Sequence, residues 1–377
     1  MLPLTPRNAY NPTLLFCGGQ VMDDNAWGTY GYPNVDTWTV GASADCHRIT
    51  PEPTDGSSPD YVQDDNLPVG RTMGQLVALP DGTFLLLNGA QYGTAGYGNR
   101  TGTTTTLGQM PYGPSLAAGP VFQPLIYNPN APAGSRWSSA GLSKSTIPRM
   151  YHSTALLLPD GSVMVAGSNP NADVNTTTTY PTTYTAEYFY PPYFSAKTRP
   201  APQNVPKSLS YGGNPFDITV PPSSFTGKAD DAAGNTTVWV IRPGFTTHGM
   251  SMGQRILQLN NTYTVQSNGT IILHTAQLPP YPNLFQPGPA LLYVTINGIP
   301  STGTFITVGS GKIETQPTGA VSVLPASLNS GQDKGGNGTT SGKKNGGSPS
   351  IPPYSVADGT GNILISLGVV ALTLALS

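Results

Sequence analysis

One short pattern occurs twice in this chain and limits the folds open to it. Leu-Pro-Asp-Gly stands at 79–82 and again at 158–161, each time between two apolar runs. An Asp-Gly pair between apolar runs predicts a β-hairpin. A third apolar run, 14–17, ends in the glycine pair Gly18-Gly19, and both hairpins also reach glycine after their second apolar run. The chain is therefore expected to be all-β and to consist of similar units.

The composition agrees with short strands joined by turns. The 377 residues include 45 Gly and 39 Pro, and only 10% of them are charged. Glycine and proline at this density favour turns over helices. The formal net charge is −2, so the bulk charge does not attract nucleic acid or anionic lipid.

The repeated units follow a kelch-like pattern, in which each unit forms one four-stranded blade of a β-propeller. Their spacing of about 80 residues exceeds the usual kelch period of about 50. Insertions rich in Gly, Thr and Pro, at 45–66 and 97–120, account for the excess. Residues 1–197 supply about three blades, whereas a propeller closes with about four to eight. The sequence therefore predicts an incomplete propeller.

The rest of the chain divides into three predicted segments. Short strands separated by turns predict an Ig-like β-sandwich over 198–309, and a Gly/Ser-rich composition predicts a disordered stalk over 310–362. Residues 363–377 are uncharged and mostly apolar. They are short for a membrane span and match a GPI-attachment signal, with a short single-span anchor as the alternative. The first residues do not match a signal peptide, so the front of a cell-surface protein is expected to be missing.

Two cysteines and several sequons favour an extracellular protein. In an oxidising compartment Cys17 and Cys46 most simply form one disulfide. Six asparagines occur in Asn-x-Ser/Thr sequons, which are acceptors for N-glycosylation: Asn99, Asn175, Asn235, Asn260, Asn268 and Asn337.

Tyr151 and His152 are neighbours, and a lone histidine, His248, follows about a hundred residues later. Imidazole nitrogen suits copper, and nitrogen/oxygen ligand sets favour Cu(II). The simpler interpretation is a buried tyrosine beside a histidine that only packs. At the corresponding place, the preceding repeat has Thr72-Met73, so the repeated scaffold does not itself require Tyr-His.

Several segments together resemble the copper radical oxidases, the family of galactose oxidase and glyoxal oxidase, with the glyoxal oxidase branch fitting best. They are the stretches at 88–99, 147–153, 166–171, 190–193 and 247–255. The resemblance covers about residues 1–310 and implies the C-terminal part of a seven-bladed propeller followed by an Ig-like domain. It implies one copper ion, with Tyr151 as axial ligand and His152 and His248 as histidine ligands.

The family also needs a radical cofactor, a tyrosine cross-linked to a cysteine. By the family pattern both residues lie before Met1, so this radical cofactor is expected to be absent from the chain. Cys17 stands in the wrong repeat for that role. Four further groups match no ligand position: His47 and His274 are expected to pack or to lie at the surface, and Asp23-Asp24 and Asp64-Asp65 are expected to be solvated.

The implied reaction is oxidation of an aldehyde such as glyoxal, or of a primary alcohol, with O2 reduced to H2O2. Tyr151 would take the substrate proton. The implied partners are the small substrate and O2, with no nucleic acid, and with membrane contact only through the tail. Because the cross-linked pair is missing, this chain is expected to be an inactive fragment of a secreted enzyme. The alternative is a non-catalytic propeller/Ig surface protein that binds glycans or wall polymers.

Overall fold

Short strands dominate the computed structural model, which describes residues 1–27, 32–247 and 250–332. Within these ranges the strands are two to nine residues long, and the one α-helix is Ala229–Gly234 (α1). The expectation of an all-β chain is confirmed. Single turns of 3-10 helix occur at Pro6–Asn8, Asp24–Ala26, Thr37–Thr39, Leu107–Gln109, Pro192–Ser195 and Pro222–Ser224.

The first half of the chain forms three small antiparallel sheets and one long hairpin. In order the sheets are β1-β2-β3, β4-β5-β8-β9 and β10-β11-β12, and β6 pairs with β7. The strands are β1 Leu14–Cys17, β2 Cys46–Ile49, β3 Val62–Gln63, β4 Gln75–Ala78, β5 Phe84–Leu87, β6 Ala90–Tyr97, β7 Ser115–Pro120, β8 Leu125–Tyr127, β9 Trp137–Ser138, β10 Ser153–Leu157, β11 Val163–Gly167 and β12 Ala186–Phe189.

The repeat seen in the sequence is also a repeat of the backbone. Both Asp-Gly turns are present: Asp81 and Asp160 each accept a backbone N–H and a hydroxyl from the residue two positions later. Gly82 and Gly161 have φ of 85° and 89°, the left-handed region that glycine enters without strain. Each turn joins the first two strands of its sheet, as the hairpin signal predicts.

Neighbouring sheets are connected by equivalent backbone hydrogen bonds. Gly19 N donates to Arg71 O at 2.9 Å, and Gly89 N donates to Arg149 O at 2.8 Å. Each bond leaves a glycine that follows a strand, β1 or β5, and reaches the segment just before the first strand of the next sheet. The first sheet is therefore linked to the second in the same way as the second is linked to the third.

The second half of the chain forms two sheets over one core. One has the order β13-β23-β21-β15-β18 with β22 paired to β21, the other has the order β14-β20-β19, and β16 pairs with β17 as a separate hairpin. The strands are β13 Ser208–Leu209, β14 Phe216–Val220, β15 Thr236–Arg242, β16 Phe245–Thr247, β17 Met250–Met252, β18 Arg255–Leu259, β19 Asn261–Val265, β20 Ile271–Thr275, β21 Gly288–Ile296, β22 Ile299–Pro300 and β23 Thr304–Val308.

Strand β15 joins the two halves because both of its faces are buried. Successive side chains of a strand point to opposite faces. Val238 and Val240 enter the core of the second half, whereas Trp239 and Ile241 enter a core shared with the first three sheets. The ring of Trp239 covers the first Asp-Gly turn, where a Cβ on Gly82 would meet it at 2.8 Å. This contact requires glycine there for space as well as for conformation.

Part of the predicted stalk, 310–332, lies on the second half with specific hydrogen bonds. Leu328 N donates to Tyr263 O at 2.8 Å and Val265 N donates to Leu328 O at 2.9 Å, which extends the sheet at its β19 edge. The side chain of Asp230 accepts both the N–H and the hydroxyl of Ser330. Two of these four bonds join backbone groups only and two use the Asp230 side chain, and a Gly/Ser-rich composition reveals neither kind.

The predicted remainder of the stalk and the tail at 363–377 lie outside the described residues. Among the residues that are described, no helix is long and apolar enough to cross a membrane.

Candidate metal site

Tyr151 and His152 lie on a turn that ends where strand β10 begins. Ser153 N donates to Met150 O at 3.1 Å and the Ser153 hydroxyl donates to the same oxygen at 2.7 Å. His152 has φ of 61°. In a regular strand the two side chains would point to opposite faces, but the turn stacks their rings with centroids 3.8 Å apart and planes at 27°. A phenol and an imidazole are thereby presented together.

Buried amides hold this turn against the second sheet. Gln75 Nε2 donates to Ser153 O at 2.8 Å, and Asn88 Nδ2 donates to Gln75 Oε1 at 2.9 Å. Gln75 and Ser153 are both 1% exposed. A buried amide that makes these bonds resists rearrangement, because breaking one leaves a desolvated polar group.

Arg149 supports the turn from the other side. Its Nε lies 2.6 Å from Glu187 Oε2, Nη1 donates to Gly167 O at 2.7 Å and Nη2 donates to Thr185 O at 3.1 Å. The residue is 2% exposed. The planar guanidinium thus joins the turn to β11, to the segment before β12 and to β12 itself, and this rigid geometry is one that arginine supplies and lysine does not.

The β6–β7 hairpin forms an aromatic wall beside the site. The ring of Tyr97, at the end of β6, lies 6.4 Å from the ring of Tyr151. Tyr112 stacks on Tyr180 at 5.6 Å and makes an edge contact with Trp38 at 6.4 Å. Burial, and secondly the phenol of Tyr97, raise the pKa of Tyr151.

His248 lies outside the described residues, but the strands on either side of it are described. Thr247 pairs with Met250 across β16 and β17. Strand β16 lies against β10, the strand that follows His152, and β17 lies against β4. The Thr246 hydroxyl donates to Ala155 O on β10 at 3.1 Å. The hairpin that carries His248 in its sequence is therefore attached to the strand that begins at the Tyr151-His152 turn.

The other predicted site residues lie elsewhere. Cys17 and Cys46 form a disulfide across paired positions of β1 and β2, with Cα atoms 4.1 Å apart. Asn99, Asn235, Asn260 and Asn268 are exposed and Asn175 is half-buried, while Asn337 lies outside the described residues. His274 is held by Asp217 at 2.7 Å and Thr264 at 2.9 Å on the sheet of β14, β19 and β20.

The expectation of a solvated Asp64 is wrong. Its buried carboxylate accepts hydrogen bonds from Arg48, Arg136 and the hydroxyl of Tyr127. Burial alone would raise its pKa, but these donors, together with the backbone N–H of Asp65, lower the pKa of Asp64 to about 2. This cluster ties β2 to the sheet of β8 and β9 and lies away from the Tyr151 turn. Arg48 on β2 and Arg136 just before β9 are far apart in the sequence, so no local pattern announces the cluster.

Within 1–27, 32–247 and 250–332, His, Cys, Asp and Glu side chains form no group of three that could hold a metal ion. The candidate site is not a group of that kind, because one of its ligands is the phenol of Tyr151 and another, His248, lies outside those ranges. Its donor set, one phenolate oxygen and two imidazole nitrogens, fits Cu(II). The stacked Tyr151 and His152 provide the part of that set that the structure describes.

Comparison with known protein families covers most of the chain. Residues 1–193 match the family model "Glyoxal oxidase N-terminus", and residues 199–308 match "Galactose oxidase-like, Early set domain". The chain belongs to the copper radical oxidase family of glyoxal oxidase and galactose oxidase. The resemblance predicted from the sequence is confirmed, and an Early set domain of the galactose oxidase type is present in the second half.

Individual relatives include plant and fungal oxidases. The chain is 35% identical over 302 residues to aldehyde oxidase GLOX1 of Arabidopsis thaliana, covering 78% of this chain and 43% of that protein. It is 34% identical to the putative aldehyde oxidase Art an 7 of Artemisia annua, covering 81% and 47%, and 30% identical to galactose oxidase of Gibberella zeae, covering 78% and 38%. The chain thus spans less than half the length of these relatives.

A solved structure shares the fold. It is described as a novel fungal alcohol oxidase with catalytic diversity among the AA5 family, in complex with copper. The two chains are 20% identical with a TM-score of 0.55, over 80% of this chain and 52% of the other. At this identity the likeness supports the architecture and leaves the substrate open.

Proposed function

We propose that this chain supplies the copper ligands of a secreted copper radical oxidase that oxidises glyoxal-type aldehydes or primary alcohols with O2, giving H2O2. Tyr151, His152 and His248 are the proposed ligands. The observation that carries the proposal is the Met150–Ser153 turn, which stacks Tyr151 on His152 at the start of the strand that contacts the His248 hairpin. Membership of the family supports the same assignment.

Copper would supply one-electron redox chemistry at this turn. Tyr151 Oη, as a phenolate, takes the proton that leaves the substrate hydroxyl or aldehyde hydrate. Burial, and secondly Tyr97, raise the pKa of the metal-free Tyr151 phenol, whereas a bound metal ion would favour its phenolate. The half-exposed ring of Tyr97 would form one wall for a small substrate and limit the access of water.

The architecture we propose is a kelch-like propeller followed by an Ig-like domain. The three sheets at β1–β5 and β8–β12 would be blades of a seven-bladed parent. Support comes from the repeated Asp-Gly turns and from the equivalent hydrogen bonds Gly19 to Arg71 and Gly89 to Arg149. The His248 hairpin, attached to the first strands of two of these sheets, would then reach the propeller axis.

We expect residues 1–377 by themselves to bind copper without turning over. The chain has two cysteines, and Cys17 and Cys46 are bonded to each other. Neither thiol remains for a cross-link to a tyrosine, so the second one-electron group of the family has no cysteine here. For this sequence alone, that fact also favours the second candidate, a non-catalytic surface protein that binds glycans or wall polymers.

An extracellular location is part of the proposal. Disulfides persist in oxidising compartments, and the exposed sequon asparagines agree with passage through the secretory route. Attachment to the cell surface by a GPI anchor in place of 363–377, and the short membrane anchor as its alternative, stay predictions.

The test is to load residues 1–377 with Cu(II) and record its electron paramagnetic resonance spectrum and affinity. Nitrogen hyperfine structure from two imidazoles is expected, with one imidazole lost in His152→Asn and in His248→Ala. Asparagine is chosen because it tolerates the left-handed conformation of His152. His274→Ala is the matched control, and it should leave the spectrum unchanged.

Turnover is tested with the same protein. Peroxide is assayed with glyoxal, methylglyoxal and galactose, and none is expected from residues 1–377. The chain extended by the upstream blades of its parent should produce peroxide, and its Tyr151→Phe variant should not. A copper affinity and a spectrum that are unchanged in both His152→Asn and His248→Ala would refute the ligand assignment. Peroxide made by residues 1–377 and abolished by Cys17→Ser would overturn the inactivity and the role of Cys17.

A further inference from the structure

Gln254 connects the His248 hairpin to the second sheet through a single side chain. Its Oε1 accepts from Ala78 N at 2.9 Å and its Nε2 donates to Leu76 O at 3.1 Å. Strand β4 is the first strand of its sheet and pairs with β5 along its other side. The amide of Gln254 therefore makes the two hydrogen bonds that a neighbouring strand would make on this edge.

The opposite side of the hairpin is attached to the third sheet. Thr246 donates its hydroxyl to Ala155 O at 3.1 Å, and β10 is likewise the first strand of its sheet. The hairpin base is also closely packed, because a Cβ on Gly244 would meet Met252 O at 2.5 Å. The hairpin is thus held on both sides by side chains that bond to the edges of β4 and β10.

We propose that Gln254 is a positioning residue for the copper site. By bonding to the edge of β4, it holds the β16–β17 hairpin, whose sequence carries His248, close to the Tyr151-His152 turn. The inference rests on the proposed function, because it requires His248 to be a copper ligand. Its physical reason is that His248 and His152 belong to different halves of the fold. The apparent affinity for copper then falls in proportion to the fraction of molecules in which the hairpin is docked.

The amide chemistry makes the role specific to glutamine. A glutamate carboxylate would still accept from Ala78 N but would repel Leu76 O. A protonated carboxylic acid has one donor and one acceptor and would restore both bonds. Gln254 is half-buried and adjoins Arg255, so the introduced carboxyl should protonate as the pH falls towards its ordinary pKa of about 4.3.

The first measurement is hydrogen exchange of the Ala78 amide in metal-free protein. In Gln254→Ala we expect exchange to be about tenfold faster, which corresponds to the loss of one neutral hydrogen bond. Gln258→Ala is the matched control. Gln258 lies on β18, where it pairs with Trp239 of β15 in the sheet that also contains β21. Unchanged exchange at Ala78 in Gln254→Ala would overturn the contact itself.

The second measurement is Cu(II) affinity by competition with a chelator, together with the electron paramagnetic resonance spectrum. Gln254→Ala should bind copper more weakly, by up to about tenfold, the limit reached when the hairpin is mostly undocked without Gln254, and Gln258→Ala should match the unchanged protein. For Gln254→Glu the affinity is compared with that of the unchanged protein at each pH between about 8 and 4. The deficit should be largest at high pH and should disappear as the carboxyl protonates, since the protonation of the histidine ligands cancels in the ratio.

The outcomes separate this inference from the function on which it rests. Copper binding that is missing from the unchanged chain would overturn both. A copper affinity that is unchanged in Gln254→Ala, while exchange at Ala78 accelerates, would overturn the positioning role alone. A deficit in Gln254→Glu that is independent of pH would also overturn it, because a general loss of packing has no reason to recover when one carboxyl group protonates.

Discussion

Asp64 should make the protein sensitive to acid, by an amount that follows from its surroundings. The carboxylate is buried and receives hydrogen bonds from Arg48, Arg136 and Tyr127. Its pKa is lowered from 3.8 to about 2. At 1.36 kcal/mol for each tenfold change in acidity, this lowering of the pKa corresponds to about 2 kcal/mol of folding free energy.

The sign of this effect follows from the lowered pKa. The stabilisation is complete above the pKa of the unfolded state, near 3.9, and is lost as the pH falls towards about 2. In Asp64→Asn the position no longer titrates and two guanidinium groups lose their counter-charge. Removing one partner of a buried ion pair costs about 3–5 kcal/mol. The variant should therefore be less stable at pH 7 by about that amount.

The assay is urea unfolding at a series of pH values from about 7 to 2, with the free energy of unfolding as the readout. The difference between the unchanged protein and Asp64→Asn should shrink by about 2 kcal/mol on acidification. The control is Asp60→Asn, because Asp60 is exposed, and it should follow the unchanged protein throughout. A difference between Asp64→Asn and the unchanged protein that stays constant over this pH range would refute the argument.

Three further outcomes are expected. Replacing both Cys17 and Cys46 by serine should cost about 3 kcal/mol of unfolding free energy, and reduction of the unchanged protein should give the same loss. Arg149→Leu, which leaves Glu187 buried without its partner, should cost about 3–5 kcal/mol in urea unfolding, whereas equal stability would contradict the ion pair as a support of the turn. In protein secreted from a eukaryotic host, peptide mass spectrometry should find a glycan on the exposed Asn260, removed by glycosidase and absent in Asn260→Gln.

Local signals predicted the parts of the fold that depend on neighbouring residues. The Asp-Gly turns at 81–82 and 160–161 needed only the preference of glycine for positive φ and the capping by aspartate, and both hairpins occur where they were expected. The apolar run of β15 was equally readable as a strand. Its function as the strand shared by two cores was not, because that depends on what packs against each face.

Long-range polar contacts were not readable from the sequence. Asp64 is bonded by Arg136, some seventy residues later in the chain, and Gln254 bonds to β4 across almost two hundred residues. A charged loop residue and a buried ion pair have the same local sequence, so only the fold distinguishes them. The segment at 310–332 shows the same limit, because it is attached partly by backbone groups that every residue possesses and partly by Asp230, about a hundred residues before Ser330.

The turn beneath the candidate site belongs to the scaffold, and only its side chains are specific to the site. Met73 has φ of 58° and His152 has φ of 61°, at equivalent places in successive repeats. A positive φ in a residue other than glycine costs free energy and often marks a functional site, yet here it recurs where the pair is Thr72-Met73. The unusual backbone is therefore no evidence of catalysis. What distinguishes the third repeat is that the two residues after Met150 carry a phenol and an imidazole, whose rings stack. The case for copper accordingly rests on the identity of Tyr151 and His152 and on the hairpin attached beside them, and the variants that decide it are those that keep the turn while changing the donor atoms.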